Sequence, residues 1–367
     1  MSDFEDIDDY LTSESTSEDD MELLQGIPKI KNENYLDETV PNYDEETFFM
    51  HFRIGRQHVI RFAEQFENSN HYKTQSGLHG KISSLHQVII FIWFLGHQTS
   101  SFRDVADRFN ISISSLHRII TRVTIFFSNL SPQIITWPNE NEKQEIEHHF
   151  RDQGFPHVIG AIDGCHIKID KPQTDPESFI NRKGFYSIHM QVVCDHIRKI
   201  RDVFIGYPGS VHDARVFRNS PLCANLAEMC GQYVLLGDSA YPLKANLLVP
   251  FKDRGQLTER QVNYNIQLAK NRYIIEHTFG VLKQKFRQLY HIKLRNIQTI
   301  VHLIRAACVI HNVCISDEFQ IDENDLIENM IALPEHPQID DDEEEEIDVN
   351  VRRVRDNFVN TLRIQRN

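Results

Sequence analysis

Two short apolar runs in this chain each stop at an aspartate, and a third carboxylate is embedded in an apolar helical stretch. Residues 158–162 lead into Asp163, and residues 233–237 lead into Asp238. Apolar runs of this length bounded by turn residues suit buried strands of an α/β sheet. Glu276 follows Tyr273, Ile274 and Ile275 and precedes Phe279, within the helical segment 271–280. Taken singly, Asp163 and Asp238 read as turn formers, because Asp-Gly and Gly-Asp-Ser start turns. For Glu276, either a salt bridge or a metal would account for a carboxylate among apolar neighbours. Together the three are hard oxygen donors of the kind that hold two Mg²⁺ or Mn²⁺ ions about 4 Å apart, one at the attacking and one at the leaving oxygen of a phosphoryl transfer.

The spacing supports one site. Asp163 and Asp238 are separated by enough chain for hairpin strands and a helix, and Asp238 and Glu276 by enough for a loop and a returning helix. Neighbouring central strands would put both aspartates at one sheet edge, where α/β folds place their ligands. Asp213 is the rival second ligand; a helix-opening Asp is also favoured by the helix dipole alone, so it ranks as a supporting residue. His212 is expected to hydrogen-bond beside a ligand, since in a two-metal mechanism the metal and not a histidine makes the nucleophile.

The formal net charge of −14 argues against a DNA-binding protein until it is mapped. Residues 1–25 hold ten acids and residues 340–348 eight, with no Lys or Arg in either block. Outside these blocks 39 basic residues face 35 acidic ones, so the middle of the chain is mildly basic. Like-charge blocks are usually solvated and disordered. The start of the chain shows no secretory signal and no stretch reaches membrane-spanning length, which points to a cytosolic or nuclear address. Six cysteines show no CxxC pair and no zinc spacing, so they are expected to be buried thiols.

The expected organisation is an acidic disordered segment 1–44, a helical domain 45–135, a catalytic α/β domain 150–316, and an acidic tail 317–367 ending in a short basic helix. Within the helical domain, a short helix from Phe102, a turn at residues 110–112 and a longer helix from Ile113 make a helix-turn-helix layout, with Ser112 as N-cap. The outer face of the second helix offers Ser114, Ser115, His117, Arg118, Thr121 and Arg122, side chains suited to phosphates and base edges. Many helical hairpins share this shape without touching DNA. Near the acids, Arg182, Lys183, Lys283 and Lys285 are candidate phosphate contacts. Strands at 188–195 and 200–207, joined by a turn, then a helix, the strand at 233–237 and further helices, give the order of a ribonuclease-H-like fold. In the tail, Val351, Val354, Phe358 and Leu362 recur at helical spacing among arginines, as for a helix that docks on the body or binds a partner.

Five blocks in this order resemble the PIF/Harbinger transposases and the domesticated Harbinger-derived nucleases. They are Gly160-Ala161-Ile162-Asp163-Gly164-Cys165-His166-Ile167, the Asn181-Arg182-Lys183-Gly184-Phe185-Tyr186-Ser187 segment, Pro208 to Phe217, Gly237 to Pro242 and Asn271 to Gly280, closed by Cys308-Val309-Ile310-His311-Asn312. The match spans about residues 80–315. It implies a DDE core with Asp163, Asp238 and Glu276 as its carboxylates, a divalent metal, nuclear action on DNA, and a separate Myb/SANT-like DNA-binding partner. Cys165 stands where Thr is usual and Ala240 where Gly is common; neither is an expected ligand.

The reading is a nuclear, metal-dependent DNA endonuclease or transposase, with a cytoplasmic pool and oligomer formation left open. The alternative is a domesticated DNA-binding or scaffold protein that has lost cleavage. An RNA-directed nuclease is disfavoured, because a helix-turn-helix suits a major groove rather than A-form RNA.

Overall fold

The computed structural model describes residues 34–73, 82–98, 101–315 and 349–362. Both acidic blocks lie outside these residues. Helices α1 (Glu45–Phe52) and α2 (Arg56–Glu67) turn Phe48, Phe52, Phe62 and Phe66 inward. Helix α3 (Ser84–Gly96) is buried over nearly its whole circumference, so consecutive positions from Val88 to Leu95 are apolar rather than one stripe. A capping box between Ser101 and Asp104 starts α4 (Phe102–Arg108). Asn110 then turns the chain with φ 52°, a left-handed conformation that Asn tolerates. Ser112 accepts the Ser115 N–H at 3.0 Å and so caps α5 (Ile113–Asn129).

The charged stretch after Trp137-Pro138, most of which falls between the two expected domains, is a helix, α6 (Glu140–Asp152). Asn139 and Glu142 form its capping box, and Ile146 and Phe150 carry its packing. Two apolar residues four apart among so many charges leave too narrow a stripe to read from the sequence. Glu147 is buried beside them, where it accepts from Arg151 and from the His157 N–H.

The sheet has five strands in the order β3-β2-β1-β4-β5: β1 (Val158–Lys168), β2 (Ser187–Cys194), β3 (Ile200–Pro208), β4 (Val234–Leu236) and β5 (Leu247–Leu248). The first three form an antiparallel meander; β4 and β5 run parallel to β1. The 195–199 turn joins β2 to β3, with Arg198 at φ 67° and Asp195 accepting the Ile197 and Lys199 N–H groups. Between β3 and β4 lie α7 (Asp213–Arg218) and α8 (Pro221–Cys230). Strand β5 was not anticipated, being two residues long. Helices α9 (Glu259–Lys285) and α10 (Ile297–Val313) follow the sheet, and α11 (Val349–Thr361) ends the described chain.

Strand β1 does not stop at Ile162, as the sequence reading had it. It continues to Lys168, with Asp163 opposite Val192 in mid-strand. The reason is the alternate row Ala161, Cys165 and Ile167, which keeps pointing into the core on either side of Asp163.

Apolar side chains form two clusters. One joins α1 to α5 with β1 to β3, α10 and the second half of α9. The other gathers α6, α8, β4, β5, the first half of α9 and α11. Helix α11 docks on the body: Phe358 stacks on Phe155 with ring centroids 5.7 Å apart, Arg355 covers the Phe251 ring at 3.7 Å, and Val359 and Leu362 are buried. The cysteines are free thiols, five of them buried and Cys223 partly exposed. Among the described residues no helix is long and apolar enough to cross a membrane.

Candidate metal centre

The sheet register assembles the site. Ala161 pairs with Leu236 across the parallel strands β1 and β4, so Asp163 stands two residues further along β1 and Asp238 two residues past the end of β4. Helix α9 brings Glu276 over this edge, and Asp213 opens α7 beside it. Gly164 is what lets Asp213 approach: a Cβ there would lie 1.9 Å from Asp213 Oδ1 and 2.6 Å from His189 Nε2. His189, buried on β2, meets Asp213 Oδ1 at 2.7 Å through Nε2.

The electrostatics follow from packing four carboxylates in one place. Burial pushes the Asp163 carboxyl up to about 8; Arg272 opposes this, while Asp238 and Asp213 add to it. Burial also raises Asp238, with Asp213 repulsion adding and Arg272 opposing. Asp213 behaves differently. Burial pushes it up, but the His189 hydrogen bond and the charges of His189 and His166 outweigh that and hold it below the usual carboxylate range. Tyr241 is buried against the same group, and burial followed by the repulsion of Asp213, Asp163 and Asp238 raises its hydroxyl well above normal. Among the described residues that hydroxyl has no hydrogen-bond partner.

Arg272 sits among these acids. Its Nη1 donates to Asp163 Oδ2 at 2.9 Å and its Nη2 to Glu276 Oε1, one helical turn further along α9. The sequence reading had expected Asp163, Asp238 and Glu276 to form a ligand set; among the described residues no group of three or more His, Cys, Asp or Glu side chains is already arranged as a metal cage. The donor set nevertheless suits a hard divalent cation. All four groups offer oxygen, and two are driven toward neutrality by burial and mutual repulsion, a cost that a cation relieves.

The other candidate residues divide by position. Lys283 lies seven residues after Glu276, on the same helix face, and donates to the His166 carbonyl at 3.2 Å. Lys183 is exposed and close enough to Lys283 for the two cations to repel. Arg182 is exposed and bonded to the His212 ring. His212 itself flanks α7 at the surface, and the histidine bonded to Asp213 is His189. Lys285 does not join the cationic rim. Nine residues beyond Glu276, it faces the opposite side of α9, is buried, and donates to the Cys314 carbonyl at 3.0 Å.

On α5, Ser114, His117 and Arg118 are exposed. Ser115 and Thr121 are half-buried, and Arg122 is drawn inward to Gln87 Oε1 at 3.0 Å. The roles of Arg272, Gly164 and Tyr241, which lie within the motif blocks, and of His189, which lies outside them, emerge only in the fold. In a strand buried at every position, one histidine was the available signal.

A family model described as DDE superfamily endonuclease matches residues 162–312. Over 275 residues, 73% of this chain and 77% of its relative, the sequence is 30% identical to the human protein named "Putative nuclease HARBI1". The Xenopus laevis protein of the same name is 27% identical over 62% of this chain and 67% of its own. An Arabidopsis thaliana protein named Antagonist of Like Heterochromatin Protein 1 is 23% identical over 81% of this chain and 78% of its own. No solved structure matches the chain. The chain belongs to the Harbinger-derived DDE superfamily endonucleases.

Proposed function

We propose that this protein is a metal-dependent DNA endonuclease with a ribonuclease-H-like core, cutting phosphodiester bonds at the Asp163–Asp238–Glu276 edge. The observation that carries this reading is the convergence of Asp163 on β1 with Asp238, two residues past the end of the parallel neighbour β4, and Glu276 on α9. The strand order 3-2-1-4-5 supports the fold assignment.

When bound, a pair of Mg²⁺ or Mn²⁺ ions held by Asp163, Asp238 and Glu276, with Asp213 in support, would activate water and neutralise charge on the phosphoryl group. The protein's own residues prepare that place. His189 fixes the Asp213 carboxylate, and Gly164 leaves the space it occupies. Lys183, Lys283 and Arg182 make a cationic rim that draws the DNA backbone toward the acids. The exposed Ser114, His117 and Arg118 of α5 form a second contact surface, the outward helix of a helix-turn-helix. Action in the nucleus beside a Myb/SANT-like partner is part of the proposal and rests on the family.

A second reading, a DNA-binding or scaffold protein without cleavage, draws on the Arabidopsis relative, whose name describes an antagonist of a heterochromatin protein and no nuclease. Supercoiled plasmid incubated with Mg²⁺ or Mn²⁺ separates the two. The endonuclease reading expects metal-dependent nicking by the wild type and its loss in Asp238→Asn. Binding without nicking, with a Myb-like partner supplied, would favour the scaffold. Loss in Asp213→Asn with full activity in Asp238→Asn would exchange the two aspartates.

A further inference from the structure

The Arg272 side chain is 15% exposed and bonds to both Asp163 and Glu276. These are two of the three carboxylates that the proposed metal site would use. We propose that Arg272 is a resident counter-cation that keeps the carboxylates assembled in the absence of metal, and that a divalent ion must displace it. The proposal rests on the metal-site reading above and adds a role for a residue outside the ligand set.

Three observations carry it. The bonds from Arg272 use Asp163 Oδ2 and Glu276 Oε1, oxygens that a metal would also need. A guanidinium and a dication held by the same two oxygens would lie within a few ångströms and repel. The two partners also differ in kind. Glu276 is one turn away on the same helix, whereas Asp163 is on β1, so Arg272 ties α9 to the sheet edge at the site. Without a cation between them, the two carboxylates would repel each other. The freed guanidinium also has a destination. Arg272, Glu276 and Lys283 share one face of α9, so a displaced Arg272 remains on the cationic side of the site, where the phosphodiester arrives. Arg272 is thus a positioning residue that exchanges a carboxylate partner for a phosphate one.

The test is calorimetric titration of the full-length chain with Mn²⁺, and its melting in chelator, for wild type, Arg272→Gln, Arg272→Lys and Asp163→Asn. The proposal expects Arg272→Gln to melt lower than wild type without metal, yet to bind Mn²⁺ about tenfold more tightly. It also expects a larger metal-induced rise in Tm. A residue serving structure alone would weaken metal binding when removed. Arg272→Lys keeps the charge but cannot bridge two carboxylates, so its Mn²⁺ affinity should also exceed that of wild type; it carries the test if Arg272→Gln does not fold. Unchanged or weaker Mn²⁺ binding in the variant that folds overturns the proposal while leaving the metal site intact. If wild type takes up no more Mn²⁺ than Asp163→Asn, the metal-site reading fails and the proposal falls with it.

Discussion

Asp163 and Asp238 stand the same two-residue step beyond a paired Ala161 and Leu236 on parallel strands, though 75 positions separate them in the chain. The sheet register alone therefore sets two acids side by side, before any helix contributes. Each departs upward from its normal proton affinity, mainly through burial. A fold serving stability alone would gain from replacing such a pair with apolar residues.

Gly164→Ala should disable the site without unfolding the protein. The added methyl carbon would meet Asp213 Oδ1 at 1.9 Å and force that carboxylate out of place. A displacement of about 1 Å at a catalytic group costs about 100-fold in rate. Plasmid nicking should fall by that order while the far-ultraviolet circular dichroism stays native; full activity would show that Asp213 plays no part.

Tyr241→Phe should leave the metal-free protein as stable as wild type or more stable, by about 1 kcal/mol, because it removes a buried hydroxyl that has no partner among the described residues. Urea unfolding in chelator measures this. A loss above about 1 kcal/mol would reveal a hydrogen bond to that hydroxyl.

Arg118→Ala and Lys285→Ala should separate DNA contact from structure. Arg118 is exposed on α5, so its removal should weaken DNA binding and reduce the salt dependence by about one phosphate contact. Lys285 is buried on the Cys314 carbonyl, so its removal should lower Tm and leave the salt dependence unchanged. Fluorescence anisotropy across a salt series, with melting curves alongside, reads both.

The contribution of His311 to stability should fall as pH drops from about 6.5 toward 4. Burial holds its imidazole down to about 4, and Nε2 meets the Arg198 carbonyl. A depressed folded-state value means that the unfolded chain takes up the proton first. The stabilisation is thus fully present above the unfolded value near 6.5 and is lost as pH falls through the folded one. At pH 5 the loss from this residue is about 2 kcal/mol. Urea unfolding at pH 7 and pH 5 should show a smaller difference for His311→Gln than for wild type; an equal difference would place the dependence elsewhere.

Much of this centre was readable from the chain because its acids interrupt apolar patterns. Asp163 and Asp238 stop runs of buried residues, and Glu276 sits where apolar neighbours leave a carboxylate unexplained. The helix pair at 102–129 was readable too, since Ser112 and Asn110 mark a cap and a turn by local chemistry. What stayed hidden depends on contacts distant in sequence. Arg272 has no assigned role until β1 places Asp163 against it, 109 residues away. His189 gained meaning once Gly164 admitted Asp213 to its ring. Helix α6 was concealed by its many charges, two of which, Lys143 and Glu147, are themselves buried beside a stripe of only two apolar residues. Lys285 was misjudged by proximity in sequence, because nine residues along a helix turn a side chain to the far side.

The most direct test of the centre is electron paramagnetic resonance of the full-length protein titrated with Mn²⁺, comparing wild type with Asp163→Asn and Asp238→Asn. One site built by both strands should bind two Mn²⁺ ions close enough to give a spin-coupled spectrum. Either substitution should abolish that coupling. Isolated, uncoupled Mn²⁺ in the wild type, or coupling that survives in both variants, would contradict a two-ion centre at this sheet edge.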